Sequence, residues 1–276
     1  MIEQEKRDWD EIAEAFLADE EYAGQGYLKS LPPLQRRRLM VGLQALGDVT
    51  GKEVLVCGCG KGIETIQLLL RGAHVTTFDL SHGMCRLSQL RIHRAVPNGT
   101  LTPIQSSFEE MPFKAGSFDL AFGVDILHHL EDVPAGSLEL RRVLRTRGRA
   151  VFIENWAGNP LLMLGRRYIV GRFGIPSWGS KSEHPLDKKR VNAFACGWGN
   201  SRLHFPIIFL FLKLVDNVIM GLIKDKKPEG ITYILRIIWL VAQEADVALS
   251  YIVSDNIKSR LSYVCQIELT SSHRDA

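Results

Sequence analysis

Residues 54–62 read Val54-Leu55-Val56-Cys57-Gly58-Cys59-Gly60-Lys61-Gly62, and this stretch decides the fold. Its first half is an apolar run of the kind that forms a buried strand. Its second half has a glycine at every other position and leads into the helix-prone residues 63–70. Glycine allows a sharp turn where a side chain would clash, and it lets the backbone approach a ligand closely. The stretch therefore predicts a strand, a tight turn and a helix, with a ligand bound at the turn.

A second apolar run, residues 74–78, ends in Asp79. A carboxylate at the end of the second strand of such a unit can accept hydrogen bonds from a ribose diol. A dinucleotide fingerprint, G-x-G-x-x-G, would need its third glycine at position 63, which is Ile63. The spacing is G-x-G-x-G instead, which favours a different nucleoside ligand.

Three later segments of the sequence follow one another in the same order as the motifs of a known family. Residues 105–113 follow the third predicted strand, residues 117–130 contain the fourth strand and its turn, and residues 138–153 contain a helix, a turn and the fifth strand. Together with the glycine stretch, they resemble the class I S-adenosylmethionine-dependent methyltransferases that act on small molecules. The resemblance implies S-adenosylmethionine as cofactor and S-adenosylhomocysteine as product.

The resemblance also implies a set of residues that contact the cofactor. The glycine loop would wrap its methionine part, Asp79 would bind the ribose, and Ser107 stands where the family usually has an acid that binds the adenine amino group. Val56 likewise replaces an acidic residue of the first strand. The full predicted set is Gly58, Cys59, Gly60, Gly62, Asp79, Leu80, Met84, Ser107, Phe108 and Val124.

Three histidines are candidates for a general base. His128 and His129 lie in the turn after the fourth strand, which faces the transferred methyl group in the resembled fold, and His184 lies in the irregular segment after the fifth strand. Imidazole titrates near neutral pH and therefore suits proton removal. Two alternatives stay open: the histidines are structural, or the acceptor is a neutral amine that needs alignment alone.

Aromatic and basic residues on both sides of the core are candidates for substrate binding. They are Tyr22, Tyr27, Trp156, Trp178 and Arg166. Arg166 could bind any anionic group of the substrate. The strongly apolar residues 206–249 indicate that the substrate is hydrophobic.

The order of predicted elements indicates an α/β fold. Strands near 53–57, 74–78, 101–105, 118–123 and 149–154 alternate with helices near 62–71, 83–95 and 135–145, which predicts a doubly wound, mostly parallel sheet. Two further strands, near 201–205 and 262–269, make it seven-stranded, as in the Rossmann-like methyltransferase fold.

We predict a single methyltransferase domain over residues 1–276. It would comprise a helical leader or lid (1–47), a cofactor-binding core (48–155), a substrate-side loop, helix and strand (156–205), an apolar helical insertion (206–249) and the last strand (262–269).

The composition limits the possible partners of the protein and its location in the cell. A net charge of +3 on 276 residues is too small to indicate a nucleic-acid partner. The acidic N-terminal residues are unlike a signal peptide and five cysteines are an odd number, so we expect a cytoplasmic protein. Cys57 and Cys59 lack the further ligands that zinc requires, so we expect no metal site.

The apolar insertion leaves two other functions open. A membrane-spanning hairpin is disfavoured because Lys213 and Asp216 would lie near the bilayer centre. Peripheral membrane contact and a homodimer interface both remain compatible with it. The alternatives are therefore an enzyme of this fold that binds the cofactor without transferring methyl, and a membrane-binding or partner-binding protein that uses the insertion.

Overall fold

The computed structural model describes residues 2–18, 31–97, 101–168, 185–215 and 229–271. Its elements are α1 (Ile2–Ala18), α2 (Pro33–Leu46), β1 (Glu53–Cys57), α3 (Ile63–Leu69), β2 (His74–Asp79), α4 (His82–Ala95), β3 (Ile104–Gln105), β4 (Phe118–Val124), α5 (Val133–Val143), β5 (Leu144–Asn155), α6 (Pro160–Tyr168), α7 (Lys188–Ala195), β6 (Asn200–His204), α8 (Glu229–Ile252), α9 (Asp255–Leu261) and β7 (Val264–Thr270). A 3-10 turn over Leu127–His129 follows β4, and residues 210–215 are also helical.

The seven strands form one sheet in the order β3-β2-β1-β4-β5-β7-β6. The strands from β1 to β5 run parallel, whereas β7 lies antiparallel between β5 and β6. The strand order reverses between β1 and β4, and open α/β sheets bind ligands outside the carboxyl ends of the strands at this switch point. The predicted doubly wound, mostly parallel sheet is confirmed.

The apolar run of β1 lies at the centre of the sheet. Val54, Leu55 and Val56 have 0% exposed surface. Leu55 and Cys57 belong to the hydrophobic core on one face of the sheet, and Val54 and Val56 belong to the core on the other face. Burial on both faces fixes the position of β1 in the sheet, and it therefore also fixes where the glycine turn begins.

Two strand boundaries differ from those predicted. β3 is limited to Ile104–Gln105, because Pro103 lacks the N–H that a strand ladder needs and β3 is an edge strand. β5 begins at Leu144 instead of near residue 149, and its early part contains Arg147 at a φ of 62°. The pairing of β4 with β5 shifts register between Phe118 and Leu120, which accommodates this irregular start.

Helix α1 packs on the N-terminal part of α4. Its apolar residues Trp9, Ile12 and Phe16 join a small core around Met84. Asp10 accepts hydrogen bonds from the Ser81 hydroxyl (2.5 Å) and from the Gly83 N–H (2.8 Å), so it caps the first turn of α4. The leader is therefore attached to the core by a specific polar contact as well as by apolar packing.

The apolar insertion is described in part. The predicted helix from Pro206 instead begins at residue 210, after Phe209 at a φ of 57°. The buried Asp246 of α8 accepts the N–H groups of residues 210, 211 and 212 at 2.9 Å, so it caps that turn. Among the residues that the structure describes, none of the helices combines the length and apolar character required to cross a bilayer.

Candidate functional site

A cavity of about 690 Å³ opens at the carboxyl ends of β1, β2 and β4. Its size lies within the range of small-molecule pockets. One end is lined by residues that follow these strands, namely Gly58, Gly60, Asp79, Leu80, Met84, Ser107, Phe108 and Val124. The other walls come from α1, α2, the turn after β4, and the residues Arg166, Lys213 and Tyr263. All the predicted cofactor residues except Cys59 and Gly62 line this cavity.

The glycine loop has the backbone conformation that its sequence requires. Gly58, Gly60 and Gly62 have φ values of 76°, 43° and 76°, which favour glycine. A Cβ at Gly60 would meet no atom within 4 Å, so this residue faces open space in the cavity. A Cβ at Gly62 would lie 2.9 Å from Ser88 Oγ, so that glycine allows α3 and α4 to pack closely instead.

Asp79 links the second strand to the glycine loop. One carboxylate oxygen accepts the Gly60 N–H (2.9 Å) and the other accepts the Ser81 N–H (3.0 Å). Burial raises the pKa of this carboxyl above its usual value, and the two N–H donors oppose that shift. An ionised carboxylate has about four acceptor positions, so Asp79 retains capacity for the two hydroxyl donors of a ribose.

The neighbouring wall is suited to a flat, partly polar ring. Phe108 is buried against Phe78 with ring centroids 6.0 Å apart. The Ser107 hydroxyl lines the cavity and accepts the Glu110 N–H at 3.1 Å. Cys59 is fully buried, and burial raises the pKa of its thiol, so it serves as a small core residue. Together with Asp79 and Gly60, this wall fits a nucleoside.

His128 is held by a buried carboxylate. Its Nδ1 lies 2.8 Å from Glu154 Oε2. The other oxygen of Glu154 accepts the N–H groups of Ile126 (2.8 Å) and Leu127 (2.7 Å). Because an ionised carboxylate only accepts hydrogen bonds, Nδ1 must carry the proton, and in the neutral ring Nε2 is then the basic nitrogen. His128 lines the cavity, so the arrangement suits proton removal there.

His129 is held from the opposite side, by the leader helix. Its Nδ1 contacts a carboxylate oxygen of Glu5, and the ring meets the edge of Trp9 with centroids 5.8 Å apart. The rings of His128 and His129 are 4.1 Å apart. α1 therefore packs against His129 and forms one wall of the cavity, and its role as a lid stays a prediction.

Arg38 and Asp125 form an ion pair at the wall of the cavity, with Nη2 and Oδ1 2.5 Å apart. Burial alone would raise the pKa of Asp125, but the charge and hydrogen bond of Arg38 outweigh it, so the pKa is lowered. The ligand atoms of Asp125, His128 and Glu154 lie within 4.8 Å of one another, as in metal sites. Their oxygens already accept hydrogen bonds from Arg38, His128 and two backbone N–H groups, so we assign the cluster to positioning the imidazole.

The other predicted site residues are placed as follows. Arg166 lines the cavity. Trp156 is buried, donates to the Ser259 carbonyl (2.7 Å) and packs on Phe205, outside the cavity wall, which does not support its predicted role in substrate binding. Tyr22, Tyr27, Trp178 and His184 lie outside the described residues.

Sequence reasoning missed several residues of this site. Glu154, Arg38, Tyr263 and Glu5 come from four separate elements or connections and meet only in the folded chain. The one local signal was Glu154 itself, an acidic residue that directly follows the apolar residues 150–153 of β5. An unexplained acid at a buried position is a reason to look for a partner.

Comparison with known proteins agrees with this geometry. Residues 55–152 match the model of a family described as a methyltransferase domain. A ubiquinone biosynthesis O-methyltransferase of Pseudomonas aeruginosa is 34% identical over 129 residues, which are 44% of this chain and 53% of that protein. A ubiquinone/menaquinone biosynthesis C-methyltransferase of Rhizobium johnstonii is 34% identical over 113 residues, 40% of this chain and 42% of that protein.

Solved structures show the same fold. A Haemonchus contortus phosphoethanolamine N-methyltransferase 2 in complex with S-adenosyl-L-methionine superposes with a TM-score of 0.57 at 17% identity, over 86% of this chain and 53% of that one. The match to the curated Pseudomonas relative spans about half of that protein's length.

Proposed function

We propose that this chain, whose residues 55–152 match a methyltransferase domain, is a class I S-adenosylmethionine-dependent methyltransferase that transfers a methyl group to an oxygen, nitrogen or carbon atom of a small, hydrophobic molecule. The observation that carries this proposal is the joint placement of the glycine loop, Asp79 and His128 around one cavity. The glycine loop and Asp79 fit the nucleoside part of the cofactor, and His128 lines the part of the cavity that is left for the acceptor.

The cofactor side of the proposal assigns a role to each wall. Gly58 and Gly60 offer backbone to the methionine part, Asp79 accepts from the ribose hydroxyls, and Ser107 and Phe108 contact the adenine. The cofactor supplies a methyl group already activated by its sulfonium. The protein therefore has to align the acceptor and exclude water, with α1 closing the cavity.

On the acceptor side, the arrangement of His128 and Glu154 favours a hydroxyl group. A hydroxyl oxygen must lose its proton as it forms the bond to the methyl carbon and the carbon–sulfur bond breaks. Nε2 of His128 would take that proton, and Glu154 would stabilise the imidazolium by accepting from Nδ1. An amine that arrives neutral would not need this pair.

The proposed hydrophobic substrate is supported by the apolar walls of the cavity beyond the glycine loop. They consist of Ile2, Trp9, Ile12, Leu31, Leu34 and Leu39. Arg166 and Lys213 line the same region and are suited to an anionic group on an otherwise apolar molecule.

The decisive experiment is incubation of the purified protein with S-adenosylmethionine labelled in the methyl group and an extract of metabolites and lipids. We expect label to enter an organic-soluble product, and to do so less in the His128→Ala variant. Calorimetric binding of the cofactor without any label transfer would instead favour the alternative in which the fold binds the cofactor but does no methyl transfer.

A second candidate role rests on the exposed apolar face of α8. Ile234, Ile237, Ile238 and Val241 follow helical spacing and are each more than 40% exposed. We infer that this face is an interaction surface for lipid or for a second copy of the chain. Flotation with liposomes and sedimentation velocity separate the two, and a negative result in both removes the inference. The cytoplasmic location and the single-domain organisation stay predictions.

A further inference from the structure

Helix α6 exposes an apolar stripe. Leu161, Leu164 and Tyr168 are 61%, 56% and 51% exposed, and their spacing of three and four residues places them on one side of the helix. A surface helix ordinarily packs its apolar side on the core and turns polar residues to water. None of the residues of α6 is buried. The stripe is therefore left uncovered by the part of the chain that the structure describes.

The opposite side of α6 faces the large cavity. Arg166 lines that cavity. It is two residues away from both Leu164 and Tyr168, which corresponds to about 200° around an α-helix. α6 therefore forms a wall of the cavity, and the apolar stripe lies on the outside of that wall.

The start of α6 is fixed to α9. Asn159 Oδ1 accepts the N–H groups of Leu161 and Leu162 at 3.0 and 3.1 Å, and its Nδ2 donates to the Leu261 carbonyl at 2.5 Å. The exposed Arg260 directly precedes Leu261. The stripe is thus held in a defined position, with a positive charge near its beginning.

Positive charge also lies at the other end of the stripe. The last turn of α6 contains Arg166 and Arg167, and the helix contains no acidic residue. The guanidinium carbon of Arg167, which is exposed, lies 5.6 Å from the centroid of the Tyr168 ring. Helices that lie in the surface of a bilayer have this composition, with apolar side chains on one face and arginine or lysine beside them.

The size of the stripe also bears on what could cover it. A stable protein interface buries roughly 800 Å² on each partner, which is more than three side chains of one short helix can supply. A bilayer needs no matching shape, and anionic headgroups complement the arginines at both ends of the stripe. The charge and the small area therefore favour lipid over a second copy of the chain on this face.

We propose that the outer face of α6 docks on the surface of a bilayer that contains anionic lipids. Leu161, Leu164 and Tyr168 enter the boundary between headgroups and acyl chains, and Arg167 and Arg260 face the lipid phosphates. This inference rests on α6 and its surroundings and does not depend on methyl transfer. Because α6 is a wall of the cavity, a docked bilayer lies one helix away from the space that the proposed function assigns to the substrate.

Flotation of the purified full-length protein with vesicles tests the proposal. The vesicles consist of phosphatidylcholine alone or of phosphatidylcholine mixed with phosphatidylglycerol. We expect binding to the mixed vesicles to be about tenfold tighter, and to weaken as salt is added, because the arginines act through screened charge. Equal binding to both kinds of vesicle, or binding to neither, would overturn the proposal.

Apolar variants show whether α6 is the surface that binds. Leu161→Ser combined with Leu164→Ser should weaken binding to the mixed vesicles by about tenfold or more. Leu138→Ser is the matched control, because this leucine of α5 is 62% exposed but lies on another helix. Ile237→Ser combined with Val241→Ser tests the exposed face of α8 in the same assay. A loss that appears only in the α8 variant, or one that is equal in the Leu138 control, would remove α6 from the interaction.

A charge variant and two further measurements complete the test. Arg167→Gln should reduce the preference for phosphatidylglycerol, whereas Arg202→Gln, at an exposed position of β6, should leave it unchanged. Sedimentation velocity without vesicles gives the oligomeric state. A dimer that the α6 double variant dissociates would assign the stripe to a second copy of the chain and contradict docking on lipid. Thermal unfolding checks that each variant has folded.

Discussion

Glu154 of β5 lies 2.8 Å from His128 while its other oxygen accepts two backbone N–H groups of the turn after β4, so the carboxylate and the imidazole are both held in place. Neither residue has freedom to reorient, because Glu154 has 0% exposure and His128 has 6%. The pair is therefore preorganised before any substrate arrives, which is a condition for efficient proton transfer.

The first prediction tests this pair by changing Glu154 to glutamine. The amide oxygen of Glu154→Gln can keep the two backbone N–H groups, but its NH₂ would face Nδ1 and force the proton onto Nε2. The wrong tautomer should lower turnover by about a hundredfold or more, with cofactor affinity unchanged. Single-turnover kinetics and calorimetry measure the two effects separately.

The double variant supplies the control for that prediction. If Glu154 acts only through the imidazole, Glu154→Gln combined with His128→Ala should be no slower than His128→Ala alone. Additive losses would mean that Glu154 has a separate role, and unchanged turnover in all three would mean that transfer proceeds by alignment without a base.

The second prediction concerns the ribose contact. Asp79→Ala removes the acceptor for both hydroxyls and also the bond that holds the Gly60 N–H. Cofactor affinity should fall by about thirtyfold, or about 2 kcal/mol. Glu110→Ala, which removes an exposed carboxylate near the same cavity, should leave affinity unchanged in calorimetry. Equal affinity of wild type and Asp79→Ala would contradict the assignment.

The third prediction concerns the adenine end. Ser107→Asp can still accept the Glu110 N–H and would add a charged acceptor for the adenine amino group. Because charge-assisted hydrogen bonds are stronger than neutral ones, the affinity for S-adenosylhomocysteine should rise or stay level. A large loss of affinity would show that Ser107 does not face the adenine.

The fourth prediction follows from the lowered pKa of Asp125. A carboxyl whose pKa is lower in the folded state stabilises the fold above its unfolded pKa of about 3.9, and this contribution is lost as pH falls through the lower, folded value. Asp125→Asn should therefore be less stable than wild type at neutral pH, by about 1–3 kcal/mol given its partial exposure.

That difference should shrink as the pH falls below about 4. Urea unfolding of both proteins across this range provides the measurement. A constant difference between wild type and Asp125→Asn would show that the ion pair with Arg38 is not its source.

The sequence was sufficient for those parts of the site that are local in the chain. The glycine loop follows directly from β1, and Asp79 follows from the end of the next strand, so spacing alone could locate both. Glu154 could not be located in this way, since its contact with His128 depends on the register that pairs Val124 with Ile153. Asp10 and Ser81, which meet at the start of α4, are 71 residues apart in the chain, so this contact could not be predicted from the sequence either.

A fifth prediction concerns Asp10, which joins α1 to the first turn of α4. In Asp10→Ala the Ser81 hydroxyl and the Gly83 N–H lose their shared acceptor, so α1 should detach more often. The dissociation rate of bound cofactor should rise by about tenfold, as measured by stopped-flow tryptophan fluorescence. Asp8→Ala, on the same helix but outside this contact, should behave as wild type.

The position of α1 bears on the rate of the proposed reaction. This helix supplies Glu5 to His129 and Asp10 to the start of α4, so it is attached at both the reacting end and the nucleoside end of the cavity. Under the proposed function, we expect spent cofactor to leave when the contacts of Glu5 and Asp10 break, which would also uncover the histidine pair. We therefore expect each catalytic cycle to include one detachment and one return of the N-terminal helix, and the frequency of that movement to limit the number of turnovers per second.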